Sequence, residues 1–120
     1  MTKALLLAAA AFAVIAASTS AFAGSSPARV SVASSEFHLV LSRASVKAGR
    51  VIVELDNDGE DVHDLRFRRI GGTKTYRIPL TKPGKRRLLE VKMLPGRYRL
   101  WCSVADHAQL GMRTVLRVRR

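Results

Sequence analysis

Apolar and polar residues alternate with a period of two along most of the chain beyond residue 35, which predicts β-strands. The alternating segments are short, and turn sequences such as Asn57-Asp58-Gly59 and Leu94-Pro95-Gly96 separate them. No comparable helical stripe occurs beyond the first 23 residues. We therefore predict an all-β sandwich or barrel. The alternation assigns the following residues to its inward face: Phe37, Leu39, Leu41, Val51, Val53, Leu55, His63, Leu65, Phe67, Leu89, Val91, Met93, Tyr98, Leu100, Cys102, Thr114, Leu116 and Val118.

The first residues have the pattern of an export signal. Lys3 supplies a positive start, an apolar run extends from Ala4 to Ala17, and Ala21-Phe22-Ala23 offers the small residues that a signal peptidase requires. The run is shorter than the roughly 20 apolar residues of a membrane-spanning helix. We predict cleavage before Gly24 and export to the periplasm or another extracytoplasmic space. The chain is thus divided into a signal peptide (1–23), a leader with room for a first strand (24–35) and one domain (36–120).

The chain is strongly basic, with 21 Lys and Arg residues against 9 Asp and Glu residues and a net charge of +12. Such a charge favours anionic partners. Nucleic acid is excluded as a partner, because the protein is expected to be exported and has no recognisable nucleic-acid-binding element. Two interpretations stay open: a solvated face that keeps a monomer soluble, and a docking surface for an acidic redox protein, with loose association to an anionic membrane surface.

The only cysteine lies in a segment that also contains a histidine and a methionine. Cys102, His107 and Met112 are spaced as Cys-x4-His-x4-Met between two predicted strands. A single cysteine in an exported protein forms no internal disulfide, so it is a free thiol, an intermolecular link or a metal ligand. His63 opens another strand after a turn, and it shares the inward register of Cys102. Strand ends of a sandwich converge, so these residues are candidates for one metal site.

Two imidazoles, one thiolate and a more distant thioether are the donor set of a trigonal copper site with a weak axial ligand. Cu(I) prefers soft sulfur and low coordination numbers, whereas Cu(II) prefers nitrogen. A rigid site whose geometry lies between these two preferences changes its geometry little when an electron arrives or leaves. His38 has outward parity in its strand, and we do not assign it to the metal.

The combination of NDGEDVHDL, LPGRYRLWC and CSVADHAQLGM resembles the cupredoxins, the small blue copper proteins. The resemblance covers about residues 36–118. It implies a Greek-key β-sandwich that binds one copper ion, cycling between Cu(I) and Cu(II). It implies that the copper ligands are His63, Cys102, His107 and Met112.

The resemblance also implies supporting roles for the residues that follow two of these ligands. Asp64 is expected to offer its backbone N–H to the sulfur and its side chain to Ser103. Asp64 stands where asparagine is commoner, and a carboxylate beside the thiolate is expected to lower the reduction potential. Val104 stands where many relatives have proline, which leaves a second N–H free to reach the sulfur.

These observations predict a protein that carries one electron at a time and is not an enzyme. The alternative is a periplasmic copper-handling carrier that uses the same ligands. A thiol hydrolase is disfavoured because no residue that would orient a Cys-His pair is evident. A multicopper enzyme would need more histidines than the three in this chain. A cupredoxin scaffold that has lost its metal is disfavoured because all four expected ligands are present.

Overall fold

The computed structural model describes residues 1–18 and 24–120. Residues 1–18 contain no helix or strand, and no helix in the described ranges is long and apolar enough to cross a membrane. The predicted cleavage motif lies outside the described residues, so the signal peptide stays a prediction. The segment 24–120 contains nine strands and one short helix in chain order: β1 (Ala28–Ser35), β2 (His38–Leu41), β3 (Ser45–Lys47), β4 (Gly49–Asn57), β5 (His63–Arg69), β6 (Thr75–Thr81), β7 (Arg86–Met93), β8 (Gly96–Trp101), α1 (His107–Leu110) and β9 (Arg113–Arg119).

The strands form two sheets, which confirms the predicted all-β sandwich. A four-stranded sheet has the order β2-β1-β4-β7, and a five-stranded sheet has the order β3-β9-β8-β5-β6. Most neighbours are antiparallel, but β1 pairs with β4 and β3 pairs with β9 in parallel. The chain crosses between the sheets at several connections, including those from β4 to β5 and from β7 to β8. These crossings bring the ends of β5 and β8 into one sheet although their first residues, His63 and Gly96, are 33 positions apart.

The inward residues of the two sheets form a single core, as the alternation predicts. Phe67 and Leu65 of β5, Leu55 of β4 and Leu116 of β9 are each at most 1% exposed. The Phe67 ring also stacks on Tyr76 with ring centroids 5.1 Å apart. Among the described residues, the core and all of the strands belong to the segment that begins at Ala28.

Three local features differ from the predicted pattern. The structure has a strand at Thr75–Thr81 and a four-residue helix at His107–Leu110, neither of which the alternation predicts. Glu54 has outward parity but is only 6% exposed, because Arg29 and Arg86 cover it with ion pairs of 2.9 and 3.4 Å. β1, by contrast, lies within the segment 24–35, for which the sequence analysis allows a first strand.

The core predicts the effect of truncating its largest fully buried side chain. Phe67→Ala should lower the free energy of unfolding by about 3–5 kcal/mol, because the lost apolar contacts leave a cavity. Leu88→Ala is the matched control, since Leu88 is 55% exposed in β7, and it should change stability by less than about 0.5 kcal/mol. Urea unfolding of the protein from Gly24 to Arg120 measures both. Equal losses in the two variants would contradict this assignment of the core.

Candidate metal centre

Three donor atoms meet at one end of the sandwich. His63 at the start of β5, Cys102 just after β8 and His107 at the start of α1 each offer one atom, and these atoms lie within 4.8 Å of one another. His63 and Cys102 are fully buried, and His107 is 7% exposed. The two strands pair within one sheet, which fixes the distance between two of the three donors. The structure thus brings together three residues that the sequence predicts as ligands.

The spacing of these atoms fits three ligands of one ion. The sulfur of Cys102 is 3.8 Å from Nδ1 of His63 and 3.8 Å from Nδ1 of His107. Metal bonds of about 2.0 Å to nitrogen and about 2.3 Å to sulfur, at trigonal angles, give sulfur-to-nitrogen distances of about 3.7 Å. The donor set is of the kind that suits a trigonal copper site. The residues present therefore fit the copper ion that the sequence resemblance implies.

The loop before His63 is held by the side chain of Asn57. This buried amide donates to the backbone carbonyls of Asp61 and Thr81, at 2.8 Å each, and its oxygen accepts from the N–H of Gly59 at 2.9 Å. A buried amide with all of these partners satisfies groups that the turn would otherwise leave unpaired. Asn57 therefore closes the turn and fixes the start of β5, where His63 lies.

The outer nitrogen of His63 contacts a carboxylate that the sequence analysis does not assign to the site. Nε2 of His63 is 2.9 Å from Oε1 of Glu36, in the turn between β1 and β2. The same carboxylate accepts from the backbone N–H groups of Glu60, at 3.0 Å, and Asp61, at 2.7 Å. A carboxylate on the outer nitrogen fixes the orientation and tautomer of a ligand histidine, leaving Nδ1 free for a metal.

The Glu36 carboxylate is strongly stabilised as an anion. The pKa of Glu36 falls from 4.5 to about 2, chiefly because the Asp61 N–H hydrogen-bonds it, while partial burial acts in the opposite direction. Further hydrogen bonds from Glu60 and His63 also lower this pKa. Gly59 leaves the necessary space, since a Cβ on it would lie 2.5 Å from Oε1 of Glu36. Glu36 thus joins the β1–β2 turn to the loop that precedes β5.

The Cys102 thiol is surrounded by groups with opposing effects on its ionisation. Burial raises the pKa of Cys102, because desolvation disfavours the thiolate. The backbone N–H groups of Val104 and Asp64 hydrogen-bond the sulfur and lower this pKa, whereas the Asp64 carboxylate raises it. The N–H of Val104 is the one that the absence of a proline leaves free. These N–H groups are placed to stabilise a thiolate once a cation replaces the proton.

Asp64 links the two strands that carry His63 and Cys102. Its carboxylate accepts from the backbone N–H of Ser103 at 2.6 Å and from the Ser103 hydroxyl. Arg66 lies beside the same carboxylate, with Nε 3.6 Å from Oδ2. These contacts explain why Asp64 is only 8% exposed although its parity is outward. The contact between Asp64 and Ser103 is the one that the sequence resemblance implies.

His107 closes the site towards the solvent. Its ring packs edge-on against Phe37 and against the ring of His63, with centroids 5.1 Å apart in both cases. Its outer nitrogen is 3.8 Å from a carboxylate oxygen of Asp61, beyond hydrogen-bond distance. His107 is the candidate ligand nearest the surface, because the other two are fully buried. Leu110, 52% exposed at the end of α1, adds an apolar side chain to this end of the molecule.

Met112 lies beside the cluster, but its role as a ligand stays a prediction. Its side chain is fully buried, its N–H donates to the carbonyl of His107 at 3.0 Å, and its carbonyl accepts from the N–H of Cys102 at 3.1 Å. Gly111 makes this tight return possible. Its φ is +128°, and a Cβ there would lie 2.8 Å from the Phe37 carbonyl oxygen. The loop is thereby held at both ends next to the donor atoms.

The sandwich is similar to several solved structures. Reduced auracyanin from Roseiflexus castenholzii is 16% identical, with 81% of this chain and 100% of that chain covered and a TM-score of 0.62. Auracyanin A from Chloroflexus aurantiacus, described as a blue copper protein, is 15% identical, with 78% and 100% covered and a TM-score of 0.63. A copper-containing nitrite reductase from Thermus scotoductus is 21% identical, with 79% and 23% covered and a TM-score of 0.53.

No family model and no curated protein sequence matches the chain. Because the sequence identities are below 25%, the structural similarities establish the fold only. The chemistry of the site is inferred from its own residues. The chain has the cupredoxin fold, and its buried His, Cys and His donors beside Met112 fit a copper site of the blue copper type.

The Glu36 contacts predict a pH-dependent contribution to the stability of the metal-free protein. Because the pKa of Glu36 is lowered from 4.5 to about 2, its contribution is present above pH 4.5 and is lost as the pH falls through 2. Glu36→Gln should therefore be less stable than the wild type at pH 7, and the difference should shrink between pH 4.5 and pH 2. Denaturant unfolding across this range measures it. Glu60→Gln is the control. A stability difference between the wild type and Glu36→Gln that does not change with pH would contradict the role given to Glu36.

Proposed function

We propose that the protein binds one copper ion through His63, Cys102 and His107, with Met112 as a weak axial ligand, and acts as an exported one-electron carrier. The observation that carries this proposal is the trigonal spacing of two imidazole nitrogens around one buried thiol. A structural zinc site closes with four strong nitrogen or sulfur ligands. This chain offers three such ligands and a thioether, which suits copper better.

The supports of the site favour electron transfer. When bound, the copper ion would supply a couple between Cu(I) and Cu(II). Asn57 and Glu36 hold His63, and paired strands hold Cys102, so that the donors keep their positions in both oxidation states. Rigid elements position ligands better than mobile loops do. His107, at the surface end of the cluster, is the natural exchange point for an electron.

The proposal includes an extracytoplasmic location and excludes catalysis. The apolar run before Ser18 and the cleavage motif after it support export. A single copper site of the blue type, with its donors shielded from solvent, leaves little access for a substrate. The similarity to nitrite reductase involves 23% of that larger chain, so it gives no reason to assign that enzyme's activity here.

A copper-handling carrier with the same ligands is the alternative. Transfer of a metal ion to another protein requires ligand exchange at an accessible site. The complete burial of His63 and Cys102 disfavours such exchange. Two rates distinguish these functions. An electron carrier exchanges electrons rapidly with an electrode and keeps its copper ion. A copper-handling protein releases its copper ion rapidly to a chelator.

Cys102→Ser tests the proposed centre. The copper-loaded wild type should have an intense visible absorption band from the bond between thiolate and copper, and a reversible one-electron wave in voltammetry. Cys102→Ser should lose both, because an alkoxide donor replaces the soft thiolate. Ser103→Ala is the control, since it leaves the sulfur in place and should keep the band. A wild-type protein that binds copper without this band would contradict the proposal.

Asp64→Asn tests the electrostatic effect of the carboxylate beside the sulfur. Removing this negative charge should raise the reduction potential on the order of 50 mV, because the charge favours the more positive Cu(II) state. The asparagine side chain keeps the shape and can still accept from the N–H of Ser103. Asp58→Asn removes an exposed carboxylate and should leave the potential nearly unchanged. A potential that falls in Asp64→Asn would show that the charge does not act in this way.

A further inference from the structure

The outer face of the five-stranded sheet carries eight arginines. They occupy alternate positions of four neighbouring strands, opposite to the positions that build the core. Seven are exposed and one, Arg66, is half-buried. We call this surface the arginine face. Its members are Arg66 and Arg68 of β5, Arg77 of β6, Arg97 and Arg99 of β8, and Arg113, Arg117 and Arg119 of β9.

The strand register places like charges directly opposite one another. Arg68 pairs with Arg99 across β5 and β8. Arg66 pairs with Arg77, and Arg97 pairs with Arg117. Opposite residues of neighbouring strands have Cβ atoms about 4.5–5.5 Å apart, and like charges at this distance destabilise a sheet. The arginine face therefore has a cost in stability that a soluble surface does not require.

The other sheet of the same protein pairs three arginines with carboxylates, although Lys92 lies opposite Arg50 there. On that sheet Arg29 pairs with Glu54 at 2.9 Å, Arg50 with Glu90 at 2.7 Å, and Arg86 with Asp56 at 2.6 Å. Among the described residues, the arginine face has one acidic partner, Asp64, which lies 3.6 Å from Arg66. The unbalanced charge is thus a property of one face rather than of the composition as a whole.

Every basic residue of these four strands is an arginine, and Lys47 of β3 lies beside Arg119 at the edge of the sheet. Lysine keeps a surface soluble equally well, and the chain has lysines at other positions, such as Lys82 and Lys85. Arginine differs because its planar guanidinium binds a carboxylate through two parallel hydrogen bonds. Eight guanidinium groups on a rigid sheet therefore form an array suited to several carboxylates at once.

The face has an apolar and uneven part at the end of β8 that lies next to Cys102. Trp101, the last residue of β8, lies opposite Arg66 on one side and Arg113 on the other. Together with Arg99 it borders two open recesses of about 390 and 460 Å³. One recess contains Ile70 and the other contains Val115. An apolar contact among charged residues is an arrangement found in protein interfaces, and recesses accept side chains better than a flat layer of lipid headgroups.

We propose that the arginine face is the docking surface for an acidic protein, one that presents carboxylates around an apolar contact. That this partner is a redox protein rests on the proposed function. The charge complementarity itself does not, because it requires no metal. The face lies on the reverse side of the strands that carry His63 and Cys102, so a docked partner and the metal site share one rigid sheet.

The test uses poly-L-glutamate of about 20 residues as a probe and the protein from Gly24 to Arg120. The fluorescence of Trp101, the only tryptophan, reports binding on this face. The face variant combines Arg68→Gln, Arg77→Gln and Arg97→Gln, which removes one member of each like-charge pair. The control variant removes three charges elsewhere: Lys82→Gln, Lys85→Gln and Arg87→Gln.

The wild type and the control variant should bind the probe with similar affinity, and binding should weaken as salt rises. The face variant should bind about tenfold more weakly. Its melting temperature should equal or exceed that of the wild type, because like-charge repulsion is relieved. This increase would show that the loss of binding does not come from unfolding.

Equal loss of affinity in the face and control variants would overturn the proposal, since net charge alone would then explain binding. Tighter binding to vesicles of phosphatidylcholine and phosphatidylglycerol than to poly-L-glutamate would overturn it in favour of a lipid surface. Absence of probe binding at low salt would also overturn it. Each binding measurement is made with and without copper. A failure of the docking proposal can therefore be distinguished from a failure of the proposed copper site, which the visible spectrum tests.

Discussion

The central constraint on this protein is the burial of a thiol and two imidazole nitrogens that face one another. Buried polar atoms normally have partners, and leaving them without one is costly. The distances of 3.8 Å between the sulfur of Cys102 and each Nδ1 are long for hydrogen bonds but suit ligands of a shared ion. A cation between these atoms would satisfy all three at once. The sandwich holds them apart in the arrangement that such a cation needs.

That arrangement is maintained by polar contacts from outside the donor set. Glu36 fixes the outer nitrogen of His63, Asn57 closes the turn before it, and the N–H groups of Asp64 and Val104 point at the sulfur. The contacts of Glu36 with His63 and of Asp64 with Cys102 join segments distant in sequence, whereas those of Asn57 with Asp61 and of Val104 with Cys102 are local. The site is therefore prepared by the fold, and the free energy of copper binding need not be spent on ordering a loop.

The alternation of apolar and polar residues was enough to predict the sandwich, its core and the inward register of His63 and Cys102. The spacing of Cys102, His107 and Met112 was enough to predict that they share one loop. Glu36 could not be predicted in this way, because its distance from His63 depends on how the β1–β2 turn meets the β4–β5 loop. The pattern also failed to predict β6, since Thr75–Thr81 has less regular alternation and contains Pro79. Which arginines lie opposite one another depends on the register between strands, and this register is known only from the folded sheet.

The same alternation explains how one sheet can serve two purposes. Packing determines the inner residues of β5 and β8, because Phe67 and Leu100 must fill the core at high density. The outer residues of these strands are free of that demand, so their charge can differ from strand to strand without disturbing the core. Neutralised charges on the four-stranded sheet show that this chain can balance its arginines where balance serves stability. On the five-stranded sheet most arginines have no acidic partner among the described residues, and two of its strands, β5 and β8, carry or adjoin the candidate ligands. Because β5 begins with His63 and β8 ends next to Cys102, a partner held by the outer residues is held in a fixed relation to the site.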